Sequence, residues 1–356
     1  MSITEQEIEA GLTSPDAHIR REWARNIKFF PTQEQVDRGI RDENKEVRLE
    51  WAKREDFSPT PEQVEIGLAD ECVYVRRAWI RRIDFAPTPD QAERGLKDTD
   101  RLNVIFWAKR HDFTPTPKQV ERGLTSMDSD IRWTWSQRTD FTPKSRQIKR
   151  GLADDSSFVR SAWAQRTDWT PTPQQIENGL KDEHASVRSS WAERTDYIPT
   201  YKQIERGLTD RSSEVREAWS RRTDFTPTPE QIERGLTDQD PNIREIWARK
   251  TCFTPTPEQI NRGITDKHQK VRLAWAQRMD YLASMEQIQT GLNDSDIDVR
   301  LLWILRREHN PSPAHIHKGL NDALKKVREA WEKKVSMMHE MISMTPLDDD
   351  FGDFSP

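Results

Sequence analysis

Cysteine, glycine and long apolar runs are scarce in this sequence. Its 356 residues include two cysteines, Cys72 and Cys252, which lie far apart along the chain. This excludes a disulfide framework and favours a cytoplasmic setting. No apolar run reaches the roughly 18 residues that a membrane span needs. The first residues show no basic region followed by an apolar one, so we expect no secretory signal.

Over most of the chain, charge of neither sign is in excess. The sequence holds 56 Lys and Arg against 61 Asp and Glu, and residues 336–356 carry all five surplus acids. Residues 1–335 therefore sum to zero, whereas non-specific nucleic-acid binding needs a basic excess. We find no phosphate loop, nucleophile elbow or paired-cysteine metal motif. The sequence thus predicts no catalytic residue, no metal and no cofactor.

The few glycines are placed with strict regularity. Twelve of the 13 recur every 28 residues, from Gly11 to Gly319. A tryptophan follows each one twelve residues later, from Trp23 to Trp331. A fixed internal period of this length is typical of a stacked array. Residues 1–335 are therefore predicted to form twelve 28-residue repeats, each anchored by one buried tryptophan.

Each repeat predicts two helices, A and B. In the ninth repeat, Thr228 suits the N-cap of helix A, Pro229 its first position, and Gln231 a capping box. Helix B follows, with Ile243 and Trp247 on one face. Prolines then end helix B and begin the next repeat, which excludes a continuous coiled coil. The leucine pattern of a leucine-rich repeat and the strand pattern of a propeller blade are both missing.

The start of helix B carries a recurrent Asp-x-x-x-x-Val-Arg segment, as in Asp210, Val215 and Arg216. The pattern resembles HEAT-type repeats, and its short period is similar to their leucine-rich-variant subgroup. The resemblance implies an all-α fold, a right-handed α-solenoid of twelve two-helix HEAT-like repeats, with Asp and Arg in a ladder between neighbours. The chain lacks the N-terminal cysteine cluster that some members carry, so no iron–sulfur cluster is expected.

Repeats 4 and 5 depart from the pattern. Repeat 4 lacks the Val-Arg pair, and Ser126 stands in place of the Asp of repeat 5. The loop that follows repeat 5 loses its second proline. We therefore expect the array to bend or to be interrupted near residues 100–146.

Two rows of arginine run through the array. The first is the Arg of the Val-Arg pair, and the second precedes an acid by two residues, as in Arg138 and Asp140. The functional interpretation is a phosphate-binding stripe. The structural interpretation is pairing of the first row with Asp of the same or a neighbouring repeat. We favour structural roles for both rows, because acids accompany them regularly and helix C-termini attract cations.

The positions that vary are 7, 10 and 14 residues after each glycine, on the face of helix B opposite Val and Trp. In repeats 3–6 they combine apolar, aromatic and basic residues, the composition of a protein-binding patch. The residues predicted to bind a partner are Tyr74, Arg77, Arg81, Leu102, Ile105, Lys109, Trp133 and Phe158. The alternative is that packing between repeats buries this face.

The C-terminus differs from the repeats. Residues 336–345, with Met337, Met338, Met341 and Met344, are predicted to extend the array as a helical cap. Residues 346–356 are predicted to form a disordered acidic tail. This tail is similar to the acidic tips of single-stranded-DNA-binding proteins, which recruit partner proteins, although here Ser-Pro follows the last Phe. The predicted docking residues are Asp348, Asp349, Asp350, Phe351, Asp353 and Phe354. A plain solubilising tail is the alternative.

Together these features predict a non-enzymatic scaffold or adaptor that binds another protein through helix B. The alternative is a nucleic-acid-binding HEAT-like array, linked to DNA or replication partners through the acidic tail. Neither a membrane nor a small-molecule substrate is expected.

Overall fold

A computed structural model describes residues 3–306 and 308–343, with side chains through residue 338 apart from that gap. Within these ranges the chain forms 24 α-helices and no strand. The helices come as A–B pairs, one pair per repeat, so the predicted all-α solenoid of twelve two-helix repeats is confirmed. The chain divides into two compact units, Met1–Asp196 and Tyr197–Pro356.

The first unit holds repeats 1–7. Its helices are α1 (Glu5–Leu12), α2 (Ala17–Ala24), α3 (Gln33–Ile40), α4 (Lys45–Lys53), α5 (Pro61–Leu68), α6 (Val73–Ile80), α7 (Pro89–Gly95), α8 (Arg101–Lys109), α9 (Pro117–Leu124), α10 (Ser129–Ser136), α11 (Ser145–Leu152), α12 (Ser157–Gln165), α13 (Pro173–Gly179) and α14 (Ala185–Glu193).

The second unit holds repeats 8–12. Its helices are α15 (Tyr201–Leu208), α16 (Ser213–Arg221), α17 (Pro229–Leu236), α18 (Pro241–Arg249), α19 (Pro257–Ile264), α20 (Gln269–Gln277), α21 (Met285–Leu292), α22 (Ile297–Ile304), α23 (Pro313–Leu320) and α24 (Lys325–Ser343). Helix α24 passes without a break into the segment predicted as a cap, because no proline follows helix B in repeat 12.

Helix A begins as its sequence predicts. In α17, the Thr228 hydroxyl accepts the Gln231 amide at 3.3 Å, and Gln231 Oε1 accepts the Thr228 amide at 3.0 Å. Pro229 holds the first helical position, where its missing N–H costs nothing. This reciprocal cap fixes two backbone amides that the helix cannot satisfy internally.

The indole of each repeat lies against its glycine. A Cβ built on Gly207 would stand 2.1 Å from Trp219 Nε1, and the other eleven repeat glycines show the same clash. No glycine among the described residues has a positive φ. Close approach of the indole, rather than backbone freedom, therefore requires glycine here. Ten of the twelve repeat tryptophans are at most 2% exposed, whereas Trp23 in the first repeat is half-buried.

The first row of arginines joins each repeat to the next, and we call these contacts the turn ladder. Arg48 donates to Asp70 of the following repeat through Nε at 2.7 Å and Nη2 at 3.0 Å. Its Nη1 donates to the carbonyl of Asp42 in its own repeat at 2.9 Å. The same forked contact joins Arg20–Asp42, Arg76–Asp98, Arg132–Asp154, Arg160–Asp182, Arg216–Asp238, Arg244–Asp266 and Arg272–Asp294. The partner is thus the Asp of the neighbouring repeat.

The second row of arginines caps the preceding repeat, and we call these contacts the C-terminal ladder. Arg138 is 1% exposed and donates to the carbonyls of Ala108 at 2.6 Å, Arg110 at 2.7 Å and Phe113 at 3.3 Å. It also pairs with Asp140, two residues on. These acceptors include carbonyls at the C-terminus of helix B, which have no intrahelical donor. Both rows therefore have the structural role that we favoured.

Repeats 4 and 5 do not interrupt the array, so that expectation was wrong. Helix α8 packs on α6 and α10, and α10 packs on α12, as helices B do elsewhere. The turn ladder loses both members of one contact together, because Val104 replaces its Arg and Ser126 replaces its Asp. Arg101 instead pairs with Asp128 and Asp130 of repeat 5. The joint keeps an ion-pair connection, but it has moved to the exposed start of helix B.

Candidate functional site

The variable face of helix B is only partly exposed. Positions 7 and 14 after the glycine are exposed in repeats 3 and 4, where they hold Tyr74, Arg81, Leu102 and Lys109. Position 10 lies between helices B of neighbouring repeats. Ile105, which holds it in repeat 4, is 9% exposed. The prediction of Ile105 as an exposed binding residue was therefore wrong, because packing between α6, α8 and α10 covers it.

A groove of about 740 Å³ opens between α4 and α6, and we call it the helix-B groove. Tyr74, Arg77 and Arg81 line it with Ile83, which is 95% exposed. A shallower depression of about 510 Å³ continues it toward repeat 1 and shares Lys53. The structure thus brings together three of the eight residues predicted to bind a partner, within a concave surface that combines apolar and basic groups.

Cations lie over aromatic rings along the same face. The Arg77 guanidinium is 5.4 Å from the ring centre of Tyr74. The Arg81 guanidinium is 5.5 Å from Phe106, and Lys109 Nζ is 6.0 Å from Trp133. The last two pairs each cross from one repeat to the next. Such contacts are attractive, and they hold the long basic side chains along the surface.

Arg77 is fixed further by polar contacts with repeat 4. Its Nη2 donates to Asp100 at 2.7 Å, and its Nε donates to Asn103 Oδ1 at 3.1 Å. Burial alone would raise the pKa of Asp100, but the Asn103 amide and Arg77 outweigh it and hold the pKa below its ordinary value. Asp100 therefore stays ionised near neutral pH, and Arg77 is committed to it.

Arg81 and Lys109 differ from Arg77. Among the described residues, neither has a carboxylate within ion-pair distance. Both are exposed, and both occupy position 14 of helix B. Their charges are therefore available to an anionic group on a partner.

The other predicted residues lie beside the groove rather than in it. Phe158 is 70% exposed and Leu102 is 42% exposed, and neither lines the groove. Trp133 is half-buried and packs against the hydrophobic core while it meets Lys109. The predicted set is therefore a connected cation–aromatic surface from Tyr74 to Trp133, with Phe158 as a separate exposed ring in repeat 6.

Phe106 and Ile83 belong to this surface but were not predicted as site residues. Phe106 takes a position that is alanine in repeats 3, 6, 8 and 10, and Ile83 takes one that is threonine in repeats 5–9. Departure from the repeat consensus toward a larger apolar side chain was the signal that identifies both. We had looked for variation only at positions 7, 10 and 14.

The described residues contain no group of three or more metal-ligating side chains. No helix in residues 3–306 or 308–343 is long and apolar enough to cross a membrane. The predicted docking residues of the tail, from Asp348 to Phe354, lie outside the described residues.

The geometry defines a class of protein: an α-solenoid of HEAT-like repeats, joined through arginine. Comparison with known proteins agrees at that level. Residues 202–218 in the eighth repeat match a family described as a HEAT repeat associated with sister chromatid cohesion. The fold is similar to that of a solved leucine-rich repeat variant with a novel repetitive structural motif. The two share 21% identity and a TM-score of 0.44, over 68% of this chain and 85% of that chain. No curated protein matches the sequence.

Proposed function

We propose that this chain is a protein-binding scaffold without catalytic activity, and that it engages its partner through the helix-B surface of repeats 3–6. The observation that carries the proposal is the row of cations over aromatic rings beside the helix-B groove. Clustered aromatic and arginine side chains in a concave surface are typical of the residues that dominate protein–protein binding energy. The repeat fold is typical of interaction scaffolds and presents an extended surface for this purpose.

A nucleic-acid-binding array is the second candidate. It is disfavoured because the regular arginines of both ladders are used within the protein and because residues 1–335 carry no net charge. A gel shift with single- and double-stranded oligonucleotides at two salt concentrations separates the candidates. Binding through phosphates weakens steeply with salt, whereas the proposed protein binding is expected to persist.

The test of the scaffold is affinity capture from the native cell with the wild-type chain and a Trp133→Ser, Phe158→Ser variant. The matched control is Glu217→Ser, Glu214→Ser, which changes the same two helix positions in the second unit. We expect the first variant to lose the partner and the control to keep it. Circular dichroism and thermal unfolding must show that both variants remain folded, because Trp133 also packs against the core. Equal recovery by a folded Trp133 and Phe158 variant would contradict the proposal.

A further inference from the structure

A single helix position is basic in four successive repeats. Position 14 of helix B holds Arg25, Lys53, Arg81 and Lys109 in repeats 1–4, and all four are exposed. In repeats 5 and 6 the same position is glutamine. The four cations form a row along the helix-B groove and the depression that continues it.

Only one half of this row is neutralised within the protein. Arg25 contacts Glu22 at 3.4 Å and Glu50 at 3.8 Å, and Lys53 contacts Glu50 at 3.0 Å. Arg81 and Lys109 lack such partners within the part of the chain that the structure describes. The charge in need of a counterpart is therefore concentrated in repeats 3 and 4.

From these contacts we infer that the groove takes an extended acidic segment of a partner protein, with an aromatic or aliphatic side chain between two carboxylates. The inference rests on the proposed protein-binding function and specifies the chemistry of the partner. Two carboxylates would pair with Arg81 and Lys109, and the anchor would enter the groove between Tyr74 and Ile83. Charge-assisted hydrogen bonds of this kind orient a peptide as well as hold it.

The repeat spacing sets the spacing of the two acids. Neighbouring helices in such arrays lie about 10 Å apart. An extended chain advances about 3.3 Å per residue, so residues three apart span the same distance. The preferred pattern is therefore acid, two intervening residues, acid, with the apolar anchor among the intervening residues.

The groove suits a peptide better than a nucleic acid. Glu55 and Asp84 line it beside the cations, and they would repel a continuous phosphate backbone. A peptide can direct its carboxylates at Arg81 and Lys109 and place uncharged groups next to these acids. The rings of Phe106 and Trp133 are each already approached by a cation, which leaves them less open for base stacking.

The test uses a labelled synthetic peptide with the sequence of residues 346–356, which contains Asp-Phe-Gly-Asp and so satisfies the pattern. Fluorescence anisotropy measures its binding to the full chain. An otherwise unchanged chain with Asp350→Asn and Asp353→Asn is titrated alongside, because the protein's own copy of the pattern could compete. We expect a dissociation constant tighter than about 1 mM in at least one of these two titrations.

Charge reversal locates the site. Arg81→Glu with Lys109→Glu is expected to weaken the peptide at least about tenfold, which corresponds to about 1.4 kcal/mol. Arg221→Glu with Arg249→Glu, at the same helix position in the second unit, is expected to change affinity less than about twofold. A peptide with Ser for both Phe should also bind at least about tenfold more weakly.

Three results would overturn the inference: no binding to either chain, equal weakening by the two charge reversals, or no effect of removing the phenylalanines. Preferential binding of a thymidine 20-mer with the same dependence on Arg81 and Lys109 would replace the peptide with a nucleic acid. The proposed scaffold function fails separately, because it requires loss of the native partner when Trp133 and Phe158 are changed. Loss of that partner together with no peptide binding would leave the scaffold standing and reject the acidic segment.

Discussion

The two units carry the same cation at the same place and use it differently. In repeats 8 and 9 of the second unit, Arg221 and Arg249 hold position 14, and each pairs with a glutamate one helical turn earlier, Glu217 and Glu245. In repeats 3 and 4 of the first unit, the residue one turn before Arg81 is Arg77, and the residue before Lys109 is Ile105. A single substitution per repeat therefore decides whether a cation is satisfied by its own helix or left for a partner.

The comparison also shows what the units share. The capping boxes, the glycine–indole contact and both arginine ladders recur in each unit with the same geometry. The packing that stabilises the array is thus separated from the positions that vary. Changes at the shared positions should affect both units alike, whereas changes at the variable positions should affect only one.

The largest expected effect is on a shared position. Trp163→Ala in the first unit and Trp275→Ala in the second each remove an indole that is 1% exposed. Each change should lower the free energy of unfolding by about 3–5 kcal/mol, because the cavity cannot close around a neighbouring backbone. Chemical denaturation followed by circular dichroism measures both. A loss confined to one unit would show that the two do not share one packing scheme.

A smaller effect should distinguish the C-terminal ladder of the two units. Arg138→Met strands Asp140 and three carbonyl acceptors, and should cost about 3 kcal/mol. In repeat 9, Lys250 makes one carbonyl contact at 2.9 Å, and Cys252 stands where the acid would be. Burial lowers the pKa of Lys250, so its charge is poorly compensated. Lys250→Met should therefore change stability by less than about 1 kcal/mol.

The controls for that pair are Arg138→Lys and Lys250→Arg. Arg138→Lys should recover part of the loss, because an ammonium can reach at least one carbonyl. If Lys250→Met proves as costly as Arg138→Met, the acid two residues on is not what makes the arginine valuable.

The missing contact of the turn ladder offers a gain of about 1 kcal/mol. Val104→Arg and Ser126→Asp together restore the pair that other joints of the first unit possess. Each change alone should be neutral or destabilising, because it leaves a half-buried charge without its partner. A double-mutant cycle measures the coupling, which should be favourable. Simple additivity would mean that the joint between repeats 4 and 5 differs in geometry and not only in sequence.

The smallest expected effect lies in the second unit. Glu217→Ala and Glu245→Ala each remove an exposed ion pair one turn long, which is worth about 0.3–0.5 kcal/mol. The freed Arg221 and Arg249 should not acquire the acidic peptide, because no aromatic ring faces them as Phe106 and Trp133 face Arg81 and Lys109. Thermal unfolding and anisotropy test the two halves of this statement. Peptide binding by the double variant would show that a free cation suffices without an aromatic neighbour.

The sequence alone predicted the repeat frame because its rules are local. Capping boxes, proline positions and the spacing of Ile243 and Trp247 depend on residues within one helix, so their pattern is visible in the chain. The acceptor of the turn-ladder arginine was left open between two repeats. Arg48 has an Asp six residues before it and another 22 residues after it, and only stacking decides which carboxylate it meets.

The candidate site was predicted less completely for the same reason. A helical wheel places Ile105 opposite the core of its own repeat, but it does not contain the neighbouring helices that cover it. Trp133 is half-buried for that reason too, whereas Tyr74 at position 7 escapes the contact. Phe106 was missed because its position is usually alanine. Exposure in an array is set by the packing of adjacent repeats as well as by the face of a single helix.

The absent pair at Val104 and Ser126 bears on how the groove would respond to a guest. Every other joint of the first unit is clamped on its turn side by a forked contact, but here the link is Arg101 at the solvent edge, where ions screen it. Lys109 and Trp133 straddle that same joint. We expect this joint to yield first when a ligand wedges in or salt is raised, so that the surface adapts its width there while the repeats on either side keep their register.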